Sequence, residues 1–253
     1  MDQAIWATWY DLPDDLSDGG RDEYLGWLHG EYLPGLQARP GFAWAAHYQS
    51  QGGGADMQKV RAVFPKSEGM EGVGDGTQFL MLAGAAEPWT LLAPSVVDEE
   101  AAVTGTARRM LDLRQGVRPC IFSVFARIDG PEIVQRPAGT TPGPAIQMGS
   151  FRTAKLENEF DVGAWYAQYR LPAMARMPGC IATRVMLSVA GWAKYSVLYE
   201  FTSLEARLEH FEKGHEAAAL DENEWSGRLV RYTMHTPGSP TVAQRIWPPV
   251  ADG

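Results

Sequence analysis

The segment Trp27-Leu-His-Gly-Glu-Tyr-Leu-Pro-Gly-Leu-Gln-Ala-Arg-Pro-Gly41 returns later in the chain as Trp165-Tyr-Ala-Gln-Tyr-Arg-Leu-Pro-Ala-Met-Ala-Arg-Met-Pro-Gly179. The Trp, the Leu-Pro pair and the Pro-Gly pair keep identical spacings in the two copies. A repeat of this kind indicates that one structural unit occurs twice. We therefore expect two related domains, each with a helix that ends at the Pro-Gly pair.

The two copies predict a division of the chain into residues 1–136 and 145–253, joined by a linker at 137–144. The linker is rich in Pro, Gly and Thr, a composition typical of segments without regular structure. A Gly-rich insertion at 51–76 lengthens the first domain. Loops of that length are usually lids or disordered segments, and the sequence leaves both open.

Hydrophobic periodicity predicts the order β-α-β-β-α-β in each domain. In the first domain the expected elements are, in chain order, 4–10, 22–38, 42–49, 78–84, 98–113 and 120–128. In the second domain they are 145–153, 159–176, 181–189, 195–201, 204–213 and 229–235. This order is the split βαβ or ferredoxin-like motif, so we predict an α+β fold made of two tandem ferredoxin-like repeats.

The composition excludes several classes of function. Of the 253 residues, 45% are hydrophobic and 21% are charged, which is typical of a folded globular protein. The formal net charge of −9 disfavours binding to nucleic acid or to an anionic membrane. Cys120 and Cys180 form no metal-binding or redox motif. The sequence shows no signal peptide and no apolar stretch long enough to span a bilayer, so we expect a cytoplasmic protein.

The pattern of Trp, aliphatic-Pro and Pro-Gly resembles that of the dimeric α+β barrel superfamily, which includes EthD-like proteins and antibiotic-biosynthesis-type monooxygenases. The resemblance implies that both halves close into one barrel within the chain, with a cavity between each sheet and its first helix. The helix position that is often His in EthD-like proteins is Tyr32 in the first copy and Arg170 in the second. Some fused members act on ring-opened, carboxylated products of lignin-derived methoxylated aromatics, as isomerases or ester hydrolases.

Candidate catalytic residues lie on the first helix and the second strand of the first copy. His29 and His47 are candidates because histidine is the usual general base at neutral pH. Tyr32 is a candidate proton donor if a neighbouring cation lowers its pKa. On a regular α-helix Tyr32 lies about 140° around the axis from Trp27, which predicts that Trp27 faces the core and Tyr32 faces a cavity edge.

Arg170 is the leading candidate for substrate binding, because a guanidinium can bind a carboxylate through two parallel hydrogen bonds. The further candidates are Trp27, Trp165, Arg184 and His235. Arg184 is offset by one position from the equivalent of His47, which predicts the opposite face of the sheet unless a bulge intervenes. The run from His210 to Glu216 has no metal-ligand spacing, and we expect neither a metal nor a cofactor.

These residues predict an enzyme that uses acid–base chemistry on a small anionic organic molecule. Isomerisation is the most economical reaction, since one acid and one base suffice, whereas ester hydrolysis also needs an activated water and an oxyanion donor. A monooxygenase, with haem or without a cofactor, and a non-catalytic binding protein are alternatives. The oligomeric state is open, with a homodimer as one option.

Overall fold

Eight antiparallel strands close into a barrel in the computed structural model, which describes residues 2–135 and 141–250. The strands of the first half are β1 Ala4–Asp11, β2 Phe42–Ser50, β3 Phe79–Ala85 and β4 Gln115–Asp129. The strands of the second half are β5 Ala145–Thr153, β6 Cys180–Ala190, β7 Tyr195–Phe201, β8 Thr233–His235 and β9 Thr241–Trp247. The order around the barrel is β7-β6-β4-β1-β3-β2-β9-β5, and β5 then pairs with β7. The short strand β8 pairs with the end of β5, along the same edge of β5 that pairs with β9.

Two seams join the halves. At the first seam β4 pairs with β6, and at the second β2 pairs with β9. Each half therefore contributes four consecutive strands to the ring, in the orders β4-β1-β3-β2 and β6-β7-β5-β9. The prediction of an α+β fold with a closed barrel inside one chain is confirmed. The linker predicted at 137–144 lies partly outside the described residues, and the domain boundaries stay a prediction.

The repeated motif takes the same local structure in both halves. The helices of the first copy are α1 Asp18–Trp27 and α2 Leu33–Gln37, joined by a π-helical turn at Leu28–Tyr32. Pro34 stands in the first turn of α2, where its missing N–H costs nothing. Gly41 then takes a φ of 85°, a conformation that favours glycine, and its counterpart Gly179 takes 78°. The Pro-Gly pair thus ends the helix, as predicted.

The remaining helices cover the outside of the barrel. In the first half they are α3 Ala55–Ala62, α4 Val96–Ala102 and α5 Gly105–Leu111. In the second half they are α6 Leu156–Trp165, a π-helical turn at Tyr166–Arg170, α7 Leu171–Met174, α8 Leu204–Ala206, a π-helical segment at Arg207–Glu216 and α9 Trp225–Val230. Single 3₁₀ turns lie at Pro88–Leu91, Ile133–Gln135 and Ala217–Leu220. None of the helices in 2–135 and 141–250 has the length and apolar character needed to cross a lipid bilayer.

The buried side chains form one core inside the barrel and one outer core in each half. Successive residues of a strand point to opposite faces, so Ile5 and Trp9 fill the barrel while Trp6 and Tyr10 pack under the helices of the first half. A third cluster packs under the helices of the second half. These two outer layers, between sheet and helices, are where the candidate site residues lie.

The closing strand of the second half differs from the prediction. The segment predicted as a strand at 229–235 begins within α9, and only Thr233–His235 is extended. The ring is closed instead by Thr241–Trp247, which pairs with both β5 and β2. The prediction was wrong because Leu229 and Val230 belong to a helical apolar face. Periodicity over so short a segment does not separate a strand from a buried helix end.

Two predicted elements of the first half also changed. The helix expected at 98–113 is two helices, α4 and α5, which are separated at Val103 and Thr104. Gly105 begins α5 with a φ of 63°. The insertion at 51–76 contains helix α3, and its position over the second half is described below.

Candidate active site

The second half contains a cavity of about 70 Å³ between its sheet and the helices that cover it. We call this the second-half cavity. Its polar lining comes from Gln147, Arg170, Glu216 and His235, and its aromatic lining from Phe64, Phe151, Trp165, Tyr166, Tyr199 and Phe211. A few polar groups within an apolar wall are typical of a site that orients a small organic ligand.

A π-helical turn decides which side chains of the repeat face the same way. In this turn the N–H of Leu171 bonds to the carbonyl of Tyr166, so residues five apart lie side by side. The guanidinium carbon of Arg170 is therefore 4.6 Å from the ring centroid of Trp165. In the first half the rings of Trp27 and Tyr32 are 5.1 Å apart for the same reason. The predicted separation of about 140° between them was wrong because it assumed a regular α-helix.

Arg170 is a buried cation with unpaired donors. Its residue is 5% exposed, and neither Nε nor Nη1 has a hydrogen-bond partner in the described part of the chain. Besides Trp165, the ring of Phe211 lies 4.9 Å from the guanidinium carbon. Burying a charge without a hydrogen-bonded counter-charge is costly, so this arrangement favours an anionic ligand in the cavity.

Glu216 is the carboxyl group of the same cavity. Its Oε1 accepts a 2.7 Å hydrogen bond from Nε2 of Gln147, whereas Oε2 accepts none from the residues of 2–135 and 141–250. Burial raises the pKa of Glu216, an effect opposed by the nearby Arg207, by the bond from Gln147 and by Arg170. A raised pKa makes a carboxylate a stronger base and favours its use in proton transfer.

Gln147 is oriented by a buried ion pair behind the cavity. Arg207 donates from Nε and Nη2 to Oε1 of Gln147, at 2.8 and 2.6 Å, and forms an ion pair with Glu212. The amide oxygen of Gln147 is thereby occupied, and only its NH₂ group can face Glu216. Arg207 and Glu212 are both almost fully buried, so their charges depend on each other.

The insertion at 51–76 of the first half covers the second-half cavity. Glu212 accepts hydrogen bonds from the backbone N–H groups of Gly54 and Met57, at 3.2 and 3.4 Å. A Cβ atom at Gly54 would lie 2.2 Å from Oε1 of Glu212, so this close approach requires glycine. Val60 and Phe64 complete the cavity wall. The insertion is an ordered cover in this structure, tied to the same acid that pairs with Arg207.

His235 lies at the end of β8 and lines the cavity, and both of its ring nitrogens and its ring face are in contact with neighbouring side chains. Its Nε2 lies 3.1 Å from Oγ1 of Thr233, its Nδ1 lies 3.3 Å from Oγ of Ser239, and its ring stacks on Phe64 with centroids 3.7 Å apart. Burial, assisted by the nearby Arg61, lowers the pKa of His235 to about 3. The imidazole is therefore neutral at physiological pH, and its two nitrogens are already engaged.

Two tyrosines face each other beside Arg170. Burial raises the pKa of both Tyr166 and Tyr199. Both phenols therefore stay protonated at neutral pH. Trp165 also lines the cavity, and its indole N–H donates to Oγ of Ser226 at 3.2 Å.

The candidate residues of the first half lie in two connected groups. In the first group His47 is fully buried, with Nε2 2.8 Å from the Tyr10 hydroxyl and Nδ1 2.9 Å from Nε2 of His29. Burial lowers the pKa of His47 well below its usual range, with a further contribution from His29, and burial also lowers the pKa of His29. His29 is partly exposed, so this row leads from the protein surface to the sheet.

Tyr32 belongs to the second group. Its hydroxyl donates to Oε1 of Glu100 at 2.5 Å, and the same oxygen accepts from Nη1 of Arg114 at 3.0 Å. Arg114 also donates from Nε to the Tyr24 hydroxyl at 2.8 Å. Burial and the charge of Glu100 raise the pKa of Tyr32 well above its ordinary value. The cation that the sequence predicts near Tyr32 is Arg114. Burial and the charge of Glu100 nevertheless raise the pKa of Tyr32 by more than Arg114 lowers it.

The other two predicted residues lie away from the second-half cavity. Trp27 packs in the outer core of the first half, against Tyr24 and Tyr32. Arg184 points into the barrel, where Nη1 is 2.6 Å from Oδ2 of Asp2 and Nε is 3.4 Å from Oε1 of Glu200. Arg184 is offset by one position from the equivalent of His47. Its side chain therefore lies on the face of the sheet opposite to the helices, as the alternation of side chains along a strand predicts.

Glu216, Gln147, Tyr166 and the insertion line the cavity without a motif in the sequence that predicts it. Glu216 ends the His210–Glu216 run, which has no metal-ligand spacing. Within the described residues no group of three or more His, Cys, Asp or Glu side chains can hold a metal ion. The signal that could have found Glu216 is its place at the end of a helical segment with an apolar face, because such a segment packs over the sheet near Arg170.

Haem does not fit the histidines of this chain. His47 and His235 have both ring nitrogens in hydrogen bonds, and His210 is exposed. His29 and His215 line neither this cavity nor the cavity of the first half described below. A haem protein needs an axial ligand facing a space that holds the macrocycle, which a cavity of about 70 Å³ does not provide.

Comparison with known proteins supports the fold. No protein-family model matches the chain, and no curated protein matches it in sequence. A candidate monooxygenase from Fusobacterium nucleatum subsp. nucleatum is similar with a TM-score of 0.57 and 5% identity, over 96% of this chain and 92% of that one. An anthrone oxidase-like protein has a TM-score of 0.56 and 14% identity, over 97% and 92%. A mutant chlorite dismutase from Candidatus Nitrospira defluvii has a TM-score of 0.51 and 10% identity, over 98% and 92%.

These neighbours are dimeric α+β barrel proteins. At such low identities the likeness establishes the fold of this chain and leaves its chemistry to be argued from its own residues.

Proposed function

We propose that the chain is an enzyme that moves a proton on a small unsaturated carboxylate bound in the second-half cavity. The observation that carries the proposal is the buried guanidinium of Arg170, whose Nε and Nη1 have no partner among the described residues. A carboxylate supplies the missing charge and accepts both donors in the planar geometry that guanidinium favours.

Glu216 is the proton carrier in this proposal. Its unpaired Oε2 takes a proton from a carbon next to the double bond of the bound acid, and the negative charge spreads toward the carboxylate held by Arg170. The same carboxyl group then returns the proton to the far end of the allylic system, which shifts the double bond. Atoms and charges balance without a cofactor, and one group serves as base and then as acid.

The closed wall of the cavity supports this chemistry. Val60 and Phe64 of the insertion, together with the aromatic lining, keep water away from the intermediate anion. The raised pKa of Glu216 also matches the basicity of the group to a weakly acidic carbon.

Isomerisation is favoured over ester hydrolysis because it needs fewer groups. Hydrolysis needs an activated water and an oxyanion donor, whereas one carboxyl group suffices for isomerisation. We infer further that the barrel arose from two fused ferredoxin-like halves and that the substrate is a ring-cleavage product of aromatic catabolism. The carboxylate-binding Arg170 supports that substrate class, since ring opening of an aromatic compound produces unsaturated acids.

A cofactor-free oxygenase is the second candidate, because the fold is shared with an anthrone oxidase-like protein and a candidate monooxygenase. The same proton abstraction by Glu216 would produce a carbanion that dioxygen can attack. An oxygen electrode distinguishes the two reactions, since isomerisation consumes no dioxygen and oxygenation consumes it in proportion to turnover.

Binding of crotonate, a small unsaturated carboxylate, tests the first step. We expect calorimetry to show binding to the wild type, at least 100-fold weaker binding to Arg170→Met, and none for the neutral crotonamide. Arg152→Met is the matched control, since Arg152 is exposed on β5. Equal affinity of the wild type and Arg170→Met for crotonate would contradict the assignment of Arg170.

Proton transfer is tested with but-3-enoate in D₂O, followed by NMR. We expect the wild type to introduce deuterium at C2 and to form crotonate, and Glu216→Gln to lose at least 100-fold of this rate while still binding crotonate. Exchange that persists unchanged in Glu216→Gln would remove Glu216 from the mechanism. Crotonate binding without any deuterium exchange would show that the protein binds carboxylates and is not an isomerase.

A further inference from the structure

A second cavity, of about 200 Å³, lies in the first half between β1 and helices α2 and α4. We call this the first-half cavity. Leu36, Val96 and Val103 form its apolar wall. At its exposed side Arg39 and Glu99 form an ion pair of 2.6 Å, with side chains 28% and 38% exposed. The cavity is therefore reachable from solvent past a surface ion pair.

Trp6 contributes an unpaired donor to this cavity. The residue is fully buried and lines the cavity, and its Nε1–H has no hydrogen-bond partner in residues 2–135 and 141–250. A buried indole usually finds a partner for this group. The missing partner is therefore a hydrogen-bond acceptor that enters the cavity.

Glu100 contributes an acceptor to the same cavity. Its Oε1 is occupied by the Tyr32 hydroxyl and by Nη1 of Arg114, and these two bonds fix the carboxylate. Its Oε2 accepts no hydrogen bond from the described residues, is not enclosed from solvent, and belongs to a residue that lines the cavity. A ligand in the cavity can therefore donate to this oxygen as well as accept from Trp6.

We propose that the first-half cavity binds a small alcohol or phenol. A hydroxyl group satisfies both requirements, since it accepts from Nε1 of Trp6 and donates to Oε2 of Glu100. The apolar body of the ligand then packs on Leu36, Val96 and Val103. A carboxylate cannot donate to Oε2 of Glu100, and a hydrocarbon leaves the Trp6 donor unpaired. The ligand proposed here is therefore neutral, whereas the ligand proposed for the second-half cavity is an anion.

The test titrates phenol into protein labelled with ¹⁵N at tryptophan and follows the indole resonances. The Trp6 resonance is identified by its loss in Trp6→Phe. We expect phenol to shift this resonance in a saturable manner and toluene or benzoate to leave it unshifted. Trp6→Phe, which removes one hydrogen bond, should weaken phenol binding about two- to tenfold.

Trp192→Phe is the matched control, because the indole N–H of Trp192 in the second half is also unpaired in the described residues. This variant should bind phenol with unchanged affinity. Should Trp6→Phe not fold, nuclear Overhauser contacts between phenol and the methyls of Val96 and Val103 in the wild type decide the question. Absence of these contacts, or loss of phenol binding in Arg170→Met, would overturn the proposal. The crotonate experiment concerns the other half, so the two proposals fail separately.

Discussion

The guanidinium of Arg114 in the first half bonds to Tyr24 and Glu100, whereas that of Arg170 in the second half has two N–H groups without a partner among the described residues. Both lie in the layer between sheet and helices, and both contact aromatic rings. In the first half the carboxylate of Glu100 is bonded to the cation, although Nη2 of Arg114 has no partner in the described residues. In the second half no carboxylate of residues 2–135 and 141–250 is bonded to Nε or Nη1 of Arg170, and Glu216 acts on the cation only through space. The difference separates a cation used for structure from one available for a ligand.

Arg114→Met should be the most damaging change to stability. It leaves Glu100 buried beside Tyr32 without its cation, and breaking such a pair costs about 3–5 kcal/mol. Urea unfolding followed by tryptophan fluorescence measures the loss. Arg109→Met is the control, because Arg109 and its partner Glu23 are both well exposed, at 61% and 54% of their side-chain area. A loss as small as that of the control would show that Arg114 is not structural.

Arg170→Met should act in the opposite direction on the protein without ligand. Removing an unpaired buried charge and retaining apolar volume should raise the free energy of unfolding by about 1 kcal/mol or more. Thermal unfolding without and with crotonate measures both consequences. The wild type should gain stability from crotonate and the variant should not. Destabilisation of the ligand-free variant would mean that Arg170 has a structural partner after all.

Acidic pH should weaken both halves through their buried histidines. Burial holds the pKa of His47 and of His235 below the unfolded value of 6.5, and His215 titrates at about 4. Below 6.5 the unfolded chain binds protons that the folded chain does not, so stability is fully present above that pH and declines as the pH falls toward 4. His47→Gln should reduce the slope of the free energy of unfolding against pH between pH 6.5 and 5. The same change at the exposed His210 should leave this slope unchanged. A slope unaffected by His47→Gln would place the effect elsewhere.

Glu212→Gln tests the attachment of the insertion, with the smallest and most local effect. The amide cannot accept from Arg207 and from the two backbone N–H groups together, so the insertion should open more often. Tryptic cleavage within 51–76, which contains Lys59, Arg61 and Lys66, should accelerate about tenfold. Glu209→Gln is the control, since Glu209 pairs with Lys213 on the surface. Equal cleavage in both variants would show that Glu212 does not hold the cover.

The sequence predicted most of the fold because its signals are local. The Trp, Leu-Pro and Pro-Gly spacing specified two helices that end before Gly41 and Gly179, and strand alternation placed Arg184 inside the barrel. The closing strand was missed because its pairing with β2 and β5 is a long-range property.

The site was only partly predictable for two physical reasons. Whether Arg170 has a partner depends on which side chains the other elements bring near it, and spacing along the chain does not contain that information. The π-helical turns also bring the side chains of Tyr32 and Arg170 next to Trp27 and Trp165. In a regular α-helix these side chains would point away from the two tryptophans. His29 and His47 are hydrogen-bonded to each other, and their catalytic roles stay a prediction.

The position of β9 has a consequence for synthesis on the ribosome. A chain emerges from its N-terminus, yet β2 stays an open sheet edge until residues 241–247 arrive to pair with it. Asp2, which is made well before Arg184, likewise waits for Arg184 before its charge is paired inside the barrel. From the synthesis of β2 until that of β9 the nascent chain therefore exposes an unpaired strand edge, the kind of surface that aggregates or recruits a chaperone. A premature stop before Thr241 would make that temporary edge permanent.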